Sequence, residues 1–140
     1  MKYPELADDR VSEDSENKYD DFFSIKFSPS KITSNYIMLV FLDVISHRGE
    51  AYATQVKEIF NKRLAKPGFL SLSNGNFYPV IKDMKDSGLI KLNGRTKGRA
   101  KYYEMTEKGY EFYFELKSVL EDEINESINF YEDMKRLIYT

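Results

Sequence analysis

Residues 72–109, LSNGNFYPVIKDMKDSGLIKLNGRTKGRAKYYEMTEKG, constrain the fold of this chain more than any other stretch. Ser73 carries a hydroxyl that can accept from the first orphan N–H groups of a helix, and Gly88 stands where a C′ glycine ends one about four turns later. Between them Phe77, Val80, Ile81 and Met84 recur at spacings of three and four and so share one face. The opposite face carries Gly75, Pro79 and Lys82, flanked by Asn76 and Asp83 on one side and by Tyr78 and Lys85 on the other. Such a face does not belong in a core. Past Gly88, Leu89-Ile90-Lys91-Leu92 and Lys101-Tyr102-Tyr103-Glu104-Met105 read as strands. Asn93-Gly94 and Lys97-Gly98 between them are turn-forming pairs, which predicts a β-hairpin with a rather long tip. The tip and its flanks carry Lys91, Arg95, Lys97, Arg99 and Lys101, with no acid among them.

A helix with a free polar face followed by a basic hairpin is the layout of a winged helix-turn-helix, in which the helix enters a DNA groove and the wing lies along the phosphates. The expected fold is therefore mainly α with a small β-hairpin wing, and the expected partner is double-stranded DNA. Asn74 and Asn76, beside the capping Ser73, are candidates for base edges, because an Asn amide can pair bidentately with adenine, and Gly75 permits close backbone approach. Lys82 and Lys85 suit phosphate or guanine, and Tyr78 suits phosphate through its hydroxyl. Arg95, Lys97 and Arg99 would hold the backbone or enter the minor groove. Asp83 and Asp86 limit how deeply the far end of the helix can sit, so contacts are expected to concentrate at residues 73–82.

The run Leu72-Ser73 with Phe77-Tyr78-Pro79, then Ser87-Gly88-Leu89-Ile90, then Lys101-Tyr102-Tyr103 with Thr106-Glu107-Lys108-Gly109, resembles the signature of PadR-type bacterial transcriptional regulators. A Tyr-Pro pair inside a recognition helix is uncommon, so the resemblance is more specific than that to a generic winged helix. It covers residues 33–110 well and the C-terminal stretch only by helical character. Where the family commonly has Pro-Gly after the capping serine, Asn74-Gly75 stands here. The resemblance implies a transcriptional repressor, often relieved by a small ligand.

A net charge of −2 looks wrong for a DNA binder until the chain is divided. Residues 1–21 hold three basic and eight acidic side chains, residues 22–109 fifteen and seven, and residues 110–140 three and eight. Positive charge is thus confined to the segment assigned to DNA, and local field governs phosphate steering. No cysteine is present among the 140 residues, which excludes a disulfide framework, a thiol nucleophile and a thiolate zinc site. His47 is the only histidine and is assigned a structural or solvated role; no metal or cofactor is expected. No nucleophile-base pair or phosphate loop supports an enzyme. The acidic N-terminal segment is unlike a signal peptide, and no apolar run reaches the roughly 20 residues that span a bilayer, so the expected location is cytoplasmic, without a membrane contact.

Three regions are expected: a flexible acidic arm with an aromatic anchor over residues 1–30, the winged helix-turn-helix over 31–109 and a C-terminal dimerisation helix over 110–140. In the first, residues 1–21 are too poor in large apolar side chains to offset ordering entropy, and Phe22, Phe23, Ile25 and Phe27 form the anchor. Thr33 or Ser34 is read as the cap of a helix apolar nearly all round, Asn35 to Ile45. Residues 51–63 read as the helix that crosses the phosphate backbone, with Ala53, Val56, Ile59 and Phe60 on one face. The Lys66-Pro67-Gly68-Phe69 turn then delivers the recognition helix. Thr106 caps the last helix, whose stripe Leu116, Leu120, Ile124, Ser127, Tyr131, Met134, Ile138 is heptad-like. So long a stripe needs a second copy to cover it, or a break near residues 121–123 that would let it fold back.

The function expected is a sequence-specific transcriptional regulator, a repressor acting as a homodimer on a pseudo-palindromic operator. With 10 Phe and 11 Tyr, a small aromatic effector at the dimer interface is conceivable. Two rival readings share this layout: a replication terminator or other DNA-bound structural protein, and a protein-interaction module that has lost DNA binding, which Asp83 and Asp86 favour.

Overall fold

The computed structural model describes residues 29–64 and 72–139, with side chains from Ser34 onward. The acidic arm, the aromatic anchor and the Lys66-Pro67-Gly68-Phe69 turn lie outside the described residues. Among the described residues four helices and one hairpin follow in the order α1 (Pro29–Arg48), α2 (Ala53–Arg63), α3 (Asn74–Asp86), β1 (Ile90–Lys97), β2 (Ala100–Met105) and α4 (Glu107–Tyr139).

Helix α1 starts earlier than its hydroxyl-bearing residues suggested. Pro29 is its first residue, where a missing N–H costs nothing and the fixed φ is already helical. It ends at Gly49 (φ 86°), whose N–H donates to the Ile45 carbonyl at 2.7 Å. Ile37, Met38, Phe41, Leu42 and Ile45 are buried, and Leu39 and Val40 pack against the same core, so the all-round apolar helix is the central one. On it, the Asp43 carboxylate accepts from the Tyr113 hydroxyl of α4 at 2.6 Å. His47 is exposed beside Asp43.

Helix α2 begins at Ala53 rather than at 51, because residues 50–52 serve the hairpin instead. Ala51 and Tyr103 exchange backbone hydrogen bonds of 3.0 and 2.8 Å, so Ala51 acts as a one-residue third strand. Val56 and Phe60 bury the inner face of α2. Helix α3 buries Phe77, Val80, Ile81 and Met84, the stripe read from their spacing. Gly88 (φ 81°) ends it: its N–H reaches the Lys85 carbonyl and the Leu89 N–H reaches the Met84 carbonyl, the paired bonds of a Schellman motif.

The hairpin is longer and tighter than expected. Its strands run on to Lys97 and Ala100 around a two-residue turn, Gly98-Arg99. Asn93-Gly94, read as a turn, is a bulge: Leu92 pairs with Tyr103 and Thr96 with Lys101, so three residues of β1 oppose Tyr102 alone.

Thr106 caps α4 through its Oγ1, which accepts the Gly109 N–H at 2.9 Å. Gly109 packs so tightly that a Cβ there would lie 2.1 Å from the Leu89 carbonyl oxygen. The helix runs 33 residues with no break at 121–123, about 50 Å at 1.5 Å per residue. Its first part belongs to the protomer's own core: Phe112, Tyr113, Leu116 and Leu120 are buried. The expectation that Leu116 and Leu120 face a second subunit is therefore corrected, since both are 0 % exposed inside this chain. Spacing shows which side of a helix is apolar, not what covers it. Beyond Leu120 the same stripe emerges uncovered at Ile124, Tyr131, Met134 and Ile138, flanked by Ile128, Phe130 and Leu137.

Candidate nucleic-acid interface

Helix α3 and the hairpin present their polar sides to solvent: Ser73, Asn74, Asn76, Tyr78, Lys82, Lys85, Arg95, Lys97 and Arg99 are all exposed. They differ in what else they hold. At the N-terminus of α3 the Asn76 Oδ1 accepts from the Ser73 backbone N–H at 2.8 Å and from the Ser73 hydroxyl at 3.3 Å. The donor is a peptide N–H, so the amide oxygen must be the atom turned toward it. Asn76 thus presents only its N–H2 outward. The Asn74 Oδ1 also accepts, from the Lys57 ammonium, which can only donate, and this leaves that oxygen one further lone pair.

Lys57 also sits 5.9 Å from the centroid of the Tyr78 ring, within cation–π range. It links α2 to the exposed start of α3 across 17 residues of sequence. The sequence placed it only off the apolar face of α2, and no local spacing signals such a link.

Pro79 is the sixth residue of α3 and has no N–H to give the carbonyl of Gly75, four residues earlier, so that carbonyl is left without its usual partner. At Gly75 itself an added Cβ would meet only the Ser73 Oγ, at 3.7 Å. The backbone at the exposed tip of α3 is therefore bare and lacks one α-helical hydrogen bond.

Further along α3, Lys82 donates to Asp86 at 2.6 Å across one turn, and this hydrogen bond is the main reason its pKa is raised, so the ammonium stays charged. Lys85 has no hydrogen-bond or ion-pair partner among the described residues. On the wing, Lys91 faces Glu104 at 3.5 Å and Arg95 pairs with Glu50 at 2.9 Å. Lys97, Arg99 and Lys101, nearest the turn, are exposed, and no carboxylate among the described residues pairs with them. Within α3 and the wing, the unpaired cations are thus Lys85 and the three near the wing tip, while the acids Asp86, Glu104 and Glu50 already neutralise the other three.

A helix packed on a central helix, its polar face free and a two-stranded basic hairpin following it, defines a winged helix-turn-helix protein. The model of the Transcriptional regulator PadR-like family matches residues 41–115, more than half of the chain, and the chain belongs to that family, whose members regulate transcription and are not enzymes. Among solved structures, the chain is similar to a PadR-like transcription factor from Bacteroides fragilis at 23 % identity and a TM-score of 0.52, covering 74 % of this chain and 96 % of that one. A transcriptional regulator from Clostridium thermocellum matches at 16 % identity and a TM-score of 0.47, over 79 % of this chain and 97 % of the other. No functionally curated protein matches the chain. Among the described residues no helix is long and apolar enough to cross a membrane, and no group of three or more His, Asp or Glu could hold a metal ion.

Proposed function

We propose that this chain is a repressor that binds double-stranded DNA as a homodimer, through a pseudo-palindromic operator. The observation that carries the reading is exposed charge on the two elements that would meet DNA: Lys85 on α3 and Lys97, Arg99 and Lys101 on the wing have no acidic partner among the described residues. The uncovered apolar stripe of α4, from Ile124 to Ile138, supports the second subunit. Two copies joined there would set two α3 helices about one helical turn of DNA apart. With its carbonyl doubly engaged, Asn76 offers donors alone, which suits guanine O6 or N7, while Asn74 keeps an acceptor lone pair beside its N–H2. An effector that relieves repression belongs to the same reading. A shallow hollow on α4, lined by Glu123, Glu126, Ser127, Phe130 and Tyr131, would be closed over by the second subunit.

The experiment is selection of bound fragments from genomic DNA, read with the mass of the protein in solution. A dimer enriching one dyad-symmetric motif is the expected result. Four free cations in each subunit give a slope of about −7 in log K against log salt at about −0.9 per phosphate contact. A folded dimer that enriches no motif and shows a flat salt dependence would point instead to a protein-interaction module.

A further inference from the structure

We propose that Glu50, an acid at the edge of the DNA-facing surface, is a positioning residue that sets the angle of the wing; the inference rests on the DNA-binding reading above. Glu50 lies in the link between α1 and α2, and its side chain is 23 % exposed against 67 % for Arg95. Both of its carboxylate oxygens accept from the Arg95 Nε, at 2.9 and 3.1 Å, and Oε1 also accepts from the Asn93 side-chain amide at 2.9 Å. The Asn93 Oδ1 in turn accepts the Arg95 backbone N–H at 2.9 Å. Residues 93–95 are the bulge of β1, so the bulge is shaped around this one carboxylate.

The clasp is braced from the other strand. The Arg95 guanidinium lies over the Tyr102 ring at 5.2 Å, and Tyr102 meets Tyr52 edge-on at 5.3 Å. Next to it, Ala51 and Tyr103 are tied through their backbones. Residues 50, 51 and 52 therefore each grip the hairpin, the first through its side-chain charge, the second through its peptide and the third through its ring. The hairpin is otherwise a two-stranded ribbon, which is marginally stable alone and free to swing. Lys97, Arg99 and Lys101 sit beyond the clasp, and where they point depends on it.

An acid beside a phosphate-binding surface ordinarily weakens binding, so simple charge counting and the positioning role predict opposite signs. The test is anisotropy titration of the full chain and its variants with a labelled mixed-sequence duplex over a range of salt. Glu50→Ala is expected to bind about five- to tenfold more weakly, although it removes an acid and frees Arg95, because the wing cations are no longer held toward the phosphates. Glu50→Gln, which keeps an acceptor oxygen for Asn93, is expected to lose less. The Glu50→Ala loss should vanish in a Lys97→Ala/Arg99→Ala/Lys101→Ala background, where none of the three cations beyond the clasp is left to aim, whereas a general loss of fold would persist there. Tighter or unchanged binding by Glu50→Ala overturns the inference alone, provided that Lys97→Ala/Arg99→Ala still lowers the slope by about 0.9 per contact. If that double variant leaves affinity and slope untouched, the wing does not hold DNA and both readings fall.

Discussion

Two helical glycines, Gly109 in α4 and Gly75 in α3, should respond in opposite directions to the same substitution. At Gly109 an added Cβ would sit 2.1 Å from the Leu89 carbonyl oxygen and 2.7 Å from the Met105 Cγ. Met105 can rotate away, but the Leu89 carbonyl cannot. It already accepts the Thr106 N–H and the Thr106 hydroxyl, each at 3.1 Å, and these bonds launch α4 from the hairpin. Overpacking costs about 3 kcal/mol at the upper end of its usual range, and straining one hydrogen bond adds about 1 kcal/mol. Replacing glycine by alanine in a helix returns about 1 kcal/mol. The net is a loss of about 3 kcal/mol, or about 10 °C in Tm for a chain of this size. At Gly75, where the new methyl meets nothing closer than 3.7 Å, the same exchange should stabilise by about 0.5–1 kcal/mol. Urea unfolding and thermal melts at equal protein concentration check both. A Gly109→Ala variant within about 0.5 kcal/mol of the parent, with an unchanged m-value, would refute the close approach of α4 to the hairpin.

Four other outcomes follow from the same contacts. Leu120→Ala, inside the core, should lose about 2–5 kcal/mol, whereas Ile124→Glu should leave the circular dichroism of the protomer intact and convert a dimer to a monomer by light scattering. Asn76→Asp keeps the oxygen that caps α3 and adds a charge favourable to the helix dipole, so its Tm should hold or rise while DNA affinity falls more than tenfold. Tyr113→Phe removes the 2.6 Å hydrogen bond to Asp43 and should cost about 1–2 kcal/mol by urea titration. Burial and the neighbouring Glu123 push the Tyr36 hydroxyl up to about 12 from 10.0, so its contribution is complete below pH 10 and is lost as pH rises through 12. Absorbance titration should show a late-ionising step to which Tyr36 contributes, beside Tyr113, which burial and its bond to Asp43 also raise, and Tyr36→Phe should reduce that step by one tyrosine.

What the sequence disclosed depended on how local each signal was. The apolar stripe of α3, its stop at Gly88 and the Thr106 cap are set by residues three to five apart and could be read directly. The early start of α1 was hidden because proline, rather than a hydroxyl, opens it. Asn93-Gly94 has turn chemistry, yet a bulge uses the same tolerance of positive φ (Gly94, 92°), and only the partner strand distinguishes the two. At the interface, exposure of the basic residues was legible, but their engagement was not. Glu50 meets Arg95 across 45 residues and Lys57 meets Asn74 across 17, contacts that exist only once the helices have packed. Leu116 and Leu120 lie on the stripe with Ile124, and only the position of α1 separates what is core from what is left for a partner.

The unbroken course of α4 makes it a lever as well as a contact surface. The 19 residues after Leu120 extend about 28 Å beyond the core, and nothing in that span interrupts the helix. A tilt of about 5° in whatever grips its far end would carry the near end, and with it the hairpin wedged against Gly109, through roughly 2–3 Å over that length. Such a displacement approaches the roughly 3.4 Å between successive phosphates along one strand. In the DNA-binding reading proposed above, α4 thus ties the position of the wing to whatever holds the opposite end of the molecule, with no rearrangement inside the winged helix at all.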